Sequence, residues 1–239
     1  MTLKERLIAL LEWTDGEVER WLDGLGADER AAAGRVDGWA ARDLLAHLAE
    51  WDGVQAGQFA DTLAGRESPT LPDDDTVNAQ FFERNRALAW DELAAKAAAN
   101  RAAMLAGLRA LPDATVEAPP GPDTRPVQSD VLYGKVYHTL RHLSENMIAR
   151  GEREAADALM EEGARRMAAI DDAPVFQGTV QYNLACHYAL NDQPQRALSV
   201  LAGALAARPE MAEYAAQDPD FATLRDDPAF RELLNTKTV

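Results

Sequence analysis

One cysteine, Cys186, stands in the whole chain, so no intrachain disulfide can form and no disulfide framework holds the fold. Basic residues are scarce: 24 lysines and arginines face 40 aspartates and glutamates, a net charge of −16. Nucleic-acid binding needs a basic stripe to displace counterions from phosphates, and an anionic membrane surface demands the same. The chain suits neither partner, whereas an acidic surface keeps a protein soluble. No stretch approaches the ~20 consecutive apolar residues of a membrane span, and the initial Met-Thr-Leu-Lys-Glu-Arg offers no apolar signal core. A cytoplasmic location is therefore expected. Sustained alternation of β-branched residues is missing too, which leaves no strand signal.

What is present favours helix. Hydrophobic residues make up 47% of the chain, enough for a sizeable core, and alanine, leucine, arginine and glutamate lose little rotamer freedom in a helix. Leu3, Leu7, Leu10, Thr14, Val18, Trp21 and Leu25 recur at helical spacing, closed by Gly24 and Gly26. A second helix is expected from near Trp39, after Asp37-Gly38, to the break at Gly65, carrying Leu44, Leu45, Leu48, Trp51 and Leu63. Ser68 to Thr76 reads as a loop, with Asp75 or Thr76 able to cap the next helix. The third stretch runs from Val77 to about Leu111, with a kink or restart at Trp90-Asp91-Glu92 and Asp91 able to cap the second piece. Pro112, Pro119, Pro120, Pro122 and Pro126 make a connection that cannot be helix. A fourth helix from Ser129 to Gly151 carries Val131, Leu132, Val136, Leu140, Leu143 and Met147. Four long amphipathic helices with one proline-rich crossover describe a bundle, so the expected fold is all-α, a four-helix bundle over residues 1–150.

The chain has four histidines, and three stand where a bundle could use them. His138 and His142 are spaced i, i+4 on the fourth helix and share one face, as paired metal-binding histidines on helices do. His47 sits within Asp43-Leu44-Leu45-Ala46-His47-Leu48, an otherwise apolar stretch of the second helix. Bundles build metal sites from inward side chains on facing helices, and three imidazoles leave coordination positions open to water or substrate. Spacing alone also permits a satisfied core imidazole at His47 and a solvated pair at His138 and His142. Asp43 and Glu50, near His47, and Glu145 and Asn146, one turn past His142, are the groups that could orient such imidazoles or supply a general base. Glu50 reads more simply as part of a solvated face.

Three segments resemble the DinB-like four-helix-bundle superfamily: Trp39-Ala-Ala-Arg-Asp-Leu-Leu-Ala-His47-Leu-Ala-Glu-Trp51-Asp52, Asn78-Ala-Gln-Phe-Phe-Glu-Arg-Asn85 and Tyr137-His138-Thr-Leu-Arg-His142. That group includes thiol-dependent transferases, mycothiol-dependent maleylpyruvate isomerases and toxin self-protection proteins of the ClbS/DfsB type. The similarity spans about residues 1–150. It implies His47, His138 and His142 as ligands of a divalent metal ion, zinc or nickel foremost, although imidazole ligands alone do not choose among such ions. The implied activity is metal-dependent, with water or a low-molecular-weight thiol activated against a small electrophile, in detoxification or stress defence.

After Gly151 shorter helices are expected at about 152–170, 175–190 and 194–207, then a pair broken at Asp218-Pro219 and Asp227-Pro228. Gln181 to Pro209 resembles a tetratricopeptide repeat, with small Ala185 and Ala204 at the helix crossing, and Tyr188 and Leu201 between the helices. Gln181 departs from the large aromatic of that pattern. One repeat cannot bury its own face, so the 152–170 helix and Phe221 to Leu234 are expected to cover it. Within residues 151–239, Cys186 reads as a small core residue and His187 as surface. The competing functional expectation is a non-catalytic scaffold whose tail grips a protein partner or a second copy.

Overall fold

The computed structural model describes residues 1–36, 38–118 and 126–235, and the expected roles of Asp37, Pro119, Pro120 and Pro122 lie outside them. Two compact units divide the chain, Met1–Asn146 and Met147–Val239. Among the described residues there is no β-strand, only an isolated bridge between Arg35 and Gly38. Among the described residues no helix is long and apolar enough to cross a membrane.

In the first unit the chain runs through α1 (Leu3–Gly24), α2 (Ala27–Ala31), α3 (Ala41–Leu63), α4 (Asp74–Asn85), α5 (Trp90–Ala110), α6 (Asp113–Val116) and α7 (Val127–Ser129). A π-helical stretch (Asp130–Tyr137) then leads directly into α8 (His138–Ala149). The apolar stripes of the long helices meet in one core. Leu7, Leu11 and Val18 of α1, Leu45 and Leu48 of α3, Leu93, Met104 and Leu108 of α5, and Leu132, Val136, Leu140 and Leu143 of the last helix are all buried. The strongest helix pairing is α3 with α5. A Cβ at Gly107 on α5 would stand 3.0 Å from the Phe59 Cβ on α3, so glycine permits this close approach.

Local chemistry sets the ends. Thr2 and Glu5 form a reciprocal capping box at the start of α1. α4 begins earlier than expected, because Asp73, not Asp75 or Thr76, accepts from the Thr76 backbone N–H at 3.0 Å. The third stretch is two helices with a break at residues 86–89. There Ala89 holds the cap position, and Glu92, rather than Asp91, accepts from its N–H at 2.7 Å. Neither α2 nor the π stretch was anticipated, since five residues show little periodicity and a π turn leaves no compositional mark. The connection read as unable to be helix does hold one short helix, α6, because Pro112 only caps it and no proline falls within Asp113–Val116.

The second unit holds α9 (Arg153–Ala168), α10 (Pro174–Leu190), α11 (Pro194–Ala207), α12 (Met211–Gln217), a 3-10 segment (Pro219–Leu224) and α13 (Pro228–Asn235). α10 and α11 form a tight hairpin, with Ala185, Ala204, Tyr188 and Leu201 buried. α9 and the 3-10 segment pack on α10 and α13 packs on α11, so Phe221, Leu224 and Phe230 join the hairpin's apolar cluster. Cys186 is buried there as expected, but His187 is not on the surface. Its Nε2 lies 2.8 Å from Asp157 Oδ1, and Asp157 also accepts from Gln193 and Arg196. A polar residue on an apolar helix face reads as surface until its partner, thirty residues away in sequence, is known.

Candidate metal centre

α3 presents His47 to the bundle interior, where the residue is only 4% exposed. His138 opens α8, and His142 lies one turn later on the same face. The three rings aim the same atom at one point. His47 Nε2 lies 3.0 Å from His138 Nε2, and His142 Nε2 lies 3.2 Å from His138 Nε2. Around a tetrahedral ion with ligand distances of ~2.0–2.1 Å, neighbouring nitrogens stand about 3.3–3.4 Å apart.

Hydrogen bonding among the rings cannot satisfy this cluster. A neutral imidazole offers one N–H and one lone pair, so His138 Nε2 can serve only one of its two Nε2 neighbours. The buried Nδ1 atoms of His47 and His138 have no hydrogen-bond partner either. Three inward lone pairs are what a cation takes up, so the donor set fits a divalent ion. Burial, reinforced by the neighbouring imidazoles and by Lys135, pushes His47 down to about 3 and His138 down to about 2. Both rings are therefore neutral at physiological pH, the form in which imidazole binds metal.

The surroundings hold these rings in place. Glu145 Oε2 lies 3.1 Å from His142 Nδ1, which assigns the proton to Nδ1 and leaves Nε2 free to point inward. Burial would raise the Glu145 carboxyl, but hydrogen bonds from His142 and Arg141 outweigh it and the net shift is downward. Trp39 packs on His47 with ring centroids 4.4 Å apart and the planes tilted by 41°, and Trp51 meets His138 edge-on at 6.4 Å. Trp51 is itself fixed by donating its indole N–H to Asn78 Oδ1 at 3.0 Å. Beside His138 opens a cavity of about 300 Å³, walled by Trp51, Gln55, Gln58, Asn78 and Tyr133.

Other expected neighbours do different work. Asp43 turns away from the imidazoles and accepts backbone N–H bonds from Gly34 and Ala40, both at 2.9 Å, closing the start of α3. Ala40 has no side-chain acceptor, so only this half of a capping box forms. Asn146 accepts from the Trp21 indole at 2.9 Å. Glu50 is buried rather than solvated and receives Arg84 at 3.0 Å, Asn85 at 2.8 Å and Lys96 at 2.6 Å. Burial alone would raise its carboxyl, yet Lys96 and Asn85 hold it below the usual range. What sequence reading missed is the ion pair of Lys135 and Asp52, the two side chains 3% and 7% exposed. A lysine spaced i+4 from Val131 and i+3 from Leu132, both core residues, was the available signal.

A second group of ligand-type atoms, from Cys186, Asp218 and Asp220, lies within 4.8 Å of one another in the tail. Both Asp218 oxygens are already engaged there, by the Tyr182 hydroxyl at 2.7 Å and the Asp220 N–H at 2.9 Å, so the group reads as structural.

The family model described as the DinB superfamily matches residues 10–145, more than half of the chain and all three histidines. Neither the curated proteins nor the solved structures contain a match.

Proposed function

The chain belongs to the DinB superfamily, and on that premise we propose that it is a divalent-metal-dependent enzyme with His47, His138 and His142 as ligands. The convergence of three Nε2 atoms that cannot satisfy one another is the observation that carries this reading. A bound zinc or nickel ion would supply a Lewis acid able to bring water or a thiol toward ionisation at neutral pH.

The protein's own groups prepare the reaction. Glu145 keeps the proton on His142 Nδ1, and Trp39 and Trp51 limit water around the rings. Gln55, Gln58 and Asn78 give the cavity walls hydrogen-bonding capacity for a small polar molecule beside His138. We assign that cavity to the substrate, a small electrophile, with water or a low-molecular-weight thiol as the attacking partner. A role in detoxification or stress defence and a cytoplasmic location belong to the same reading.

The hairpin of α10 and α11 is read as a tetratricopeptide-type repeat, on its buried Ala185, Tyr188, Leu201 and Ala204. Its apolar face is covered by Phe221, Leu224 and Phe230 from the same unit, which favours the bundle over the tail as the seat of function.

The test compares metal content and Co(II) binding in wild type and in a His138→Ala, His142→Ala double variant. Stoichiometric binding by wild type and its loss in the variant are expected. The metal-loaded protein should then consume small electrophiles with water or a thiol, while a chelator abolishes turnover. Equal metal content in wild type and variant would reject the assignment.

A further inference from the structure

Beneath the three imidazoles lies a buried pair of opposite charges that the proposed function leaves unused. Lys135 Nζ stands 2.5 Å from Asp52 Oδ1, and both side chains are almost wholly withdrawn from solvent. The contact is an ion pair by distance but misses hydrogen-bond geometry, so Lys135 Nζ has no angularly satisfied acceptor. Burying such a pair costs desolvation energy that its attraction barely offsets, and two apolar side chains would stabilise a bundle equally well. Fixing one element in register against another is the best-attested use of buried polar pairs.

The position of this pair suits that use. Asp52 is on α3, five residues after His47, and Lys135 is on the π stretch, three residues before His138. The pair therefore joins the two helices whose imidazoles must meet. Between Lys135 and His138 the backbone is irregular: the His138 N–H is directed to Tyr133 O, an i→i−5 bond, as well as to Lys135 O. A π turn inserts an extra residue into the winding and is intrinsically rare. Relaxing it to an α-turn would rotate the helix beyond it by roughly 100°, one residue's share of a 3.6-residue turn. His138 would then swing away from His47. The Lys135–Asp52 pair anchors the π stretch from inside this turn, between Tyr133 and His138, and Trp51 packs against His138 at its end. Lys135 also lines both the cavity beside His138 and a water-sized cavity of about 10 Å³ walled by Asp15, Asp52 and Arg101, so a shift of its side chain would be felt on both sides.

We propose that Lys135 and Asp52 are the positioning pair of the metal centre, holding the π turn in register so that His138 meets His47 at ligand distance. In this role the pair acts through the backbone, apart from the charge that Lys135 presents to His47 and His138. This inference rests on the metal reading of the three histidines.

The experiment titrates Co(II) into the full-length protein and records affinity and the visible ligand-field bands. Wild type is compared with Lys135→Met, Asp52→Leu, the Lys135→Met, Asp52→Leu double variant and the conservative Lys135→Arg. Each single variant should bind Co(II) 10- to 100-fold more weakly, the range typical of lost ligand-orienting partners. The double variant, with no unpaired charge, should recover thermal stability yet keep the weak binding and altered bands. Lys135→Arg should restore much of the affinity. Wild-type affinity and bands in a folded double variant would show that the pair is merely structural. Should the double variant fail to fold, Asp52→Asn takes its place: weakened binding with an unchanged far-UV spectrum supports the proposal, and unchanged binding overturns it. Wild type that binds no Co(II) would remove the metal reading and this proposal together, whereas tight wild-type binding with unaffected pair variants would remove this proposal alone.

Discussion

Replacing Asp15 by asparagine separates one half-buried charge from the rest of the bundle's electrostatics. Asp15 lies on α1 beside the water-sized cavity that Asp52, Arg101 and Lys135 also line. Burial is the main force on its carboxyl, Arg101 and Lys135 oppose it, Asp52 and Glu19 add to it, and the net effect raises it to about 6. The unfolded chain releases the same proton near 3.8. Between these two values the folded state holds more protons than the unfolded one, so this group makes stability fall as pH rises. The loss is complete above the folded value and absent below the unfolded one. Each tenfold difference in proton affinity is worth about 1.4 kcal/mol, so the full effect is roughly 2–3 kcal/mol. Asparagine keeps the shape and cannot ionise. Metal-free Asp15→Asn protein should therefore exceed wild type in stability by roughly 2–3 kcal/mol at pH 8, with the gap closing toward pH 4. Denaturant titration followed by tryptophan fluorescence is the assay, because Trp13, Trp21, Trp39, Trp51 and Trp90 all lie in the first unit and report its unfolding alone. A gap that does not change with pH, or a variant less stable than wild type at pH 8, would refute the reasoning.

Three further outcomes are expected. Tyr188→Ala removes a ring that is 3% exposed, carries Arg196 over its face at 4.0 Å and donates to Glu161, and should cost ~3 kcal/mol or more in the tail while Co(II) affinity stays at wild type. Calorimetry and metal titration on one sample check both halves, and a loss of Co(II) binding would contradict the independence of the two units. Asp43→Ala deprives the Gly34 and Ala40 N–H groups of their acceptor and should cost about 1 kcal/mol in first-unit stability by the same fluorescence assay. Glu145→Gln weakens the bond that orients His142 and should lower Co(II) affinity by about tenfold in competition with a chelator; an unchanged value would leave Glu145 without an orienting role.

Much of the architecture was legible because it is local. The stripe from Leu7 to Leu25 and the group Leu44, Leu45 and Leu48 each state a helix and its inward face, whatever packs against them, whereas Leu63 at the end of α3 is exposed. The i, i+4 spacing of His138 and His142 likewise needs no tertiary partner to place both imidazoles on one face. The tail helices and their proline breaks came from the same local rules, as did the absence, among the described residues, of a helix long and apolar enough to cross a membrane.

Other properties exist only between elements distant in sequence. Glu50 and His187 read as solvated because charged and polar side chains usually are; Lys96 in the one case and Asp157 in the other bury them by providing a partner. The π turn before His138 depended on which carbonyl its N–H could reach once the helices had packed. Composition and periodicity alone told helix from strand and placed each imidazole on its helix. Only packing could bring His47 of α3 within 3.0 Å of His138, because that distance is set by how two helices, 91 residues apart in the chain, settle on a shared core.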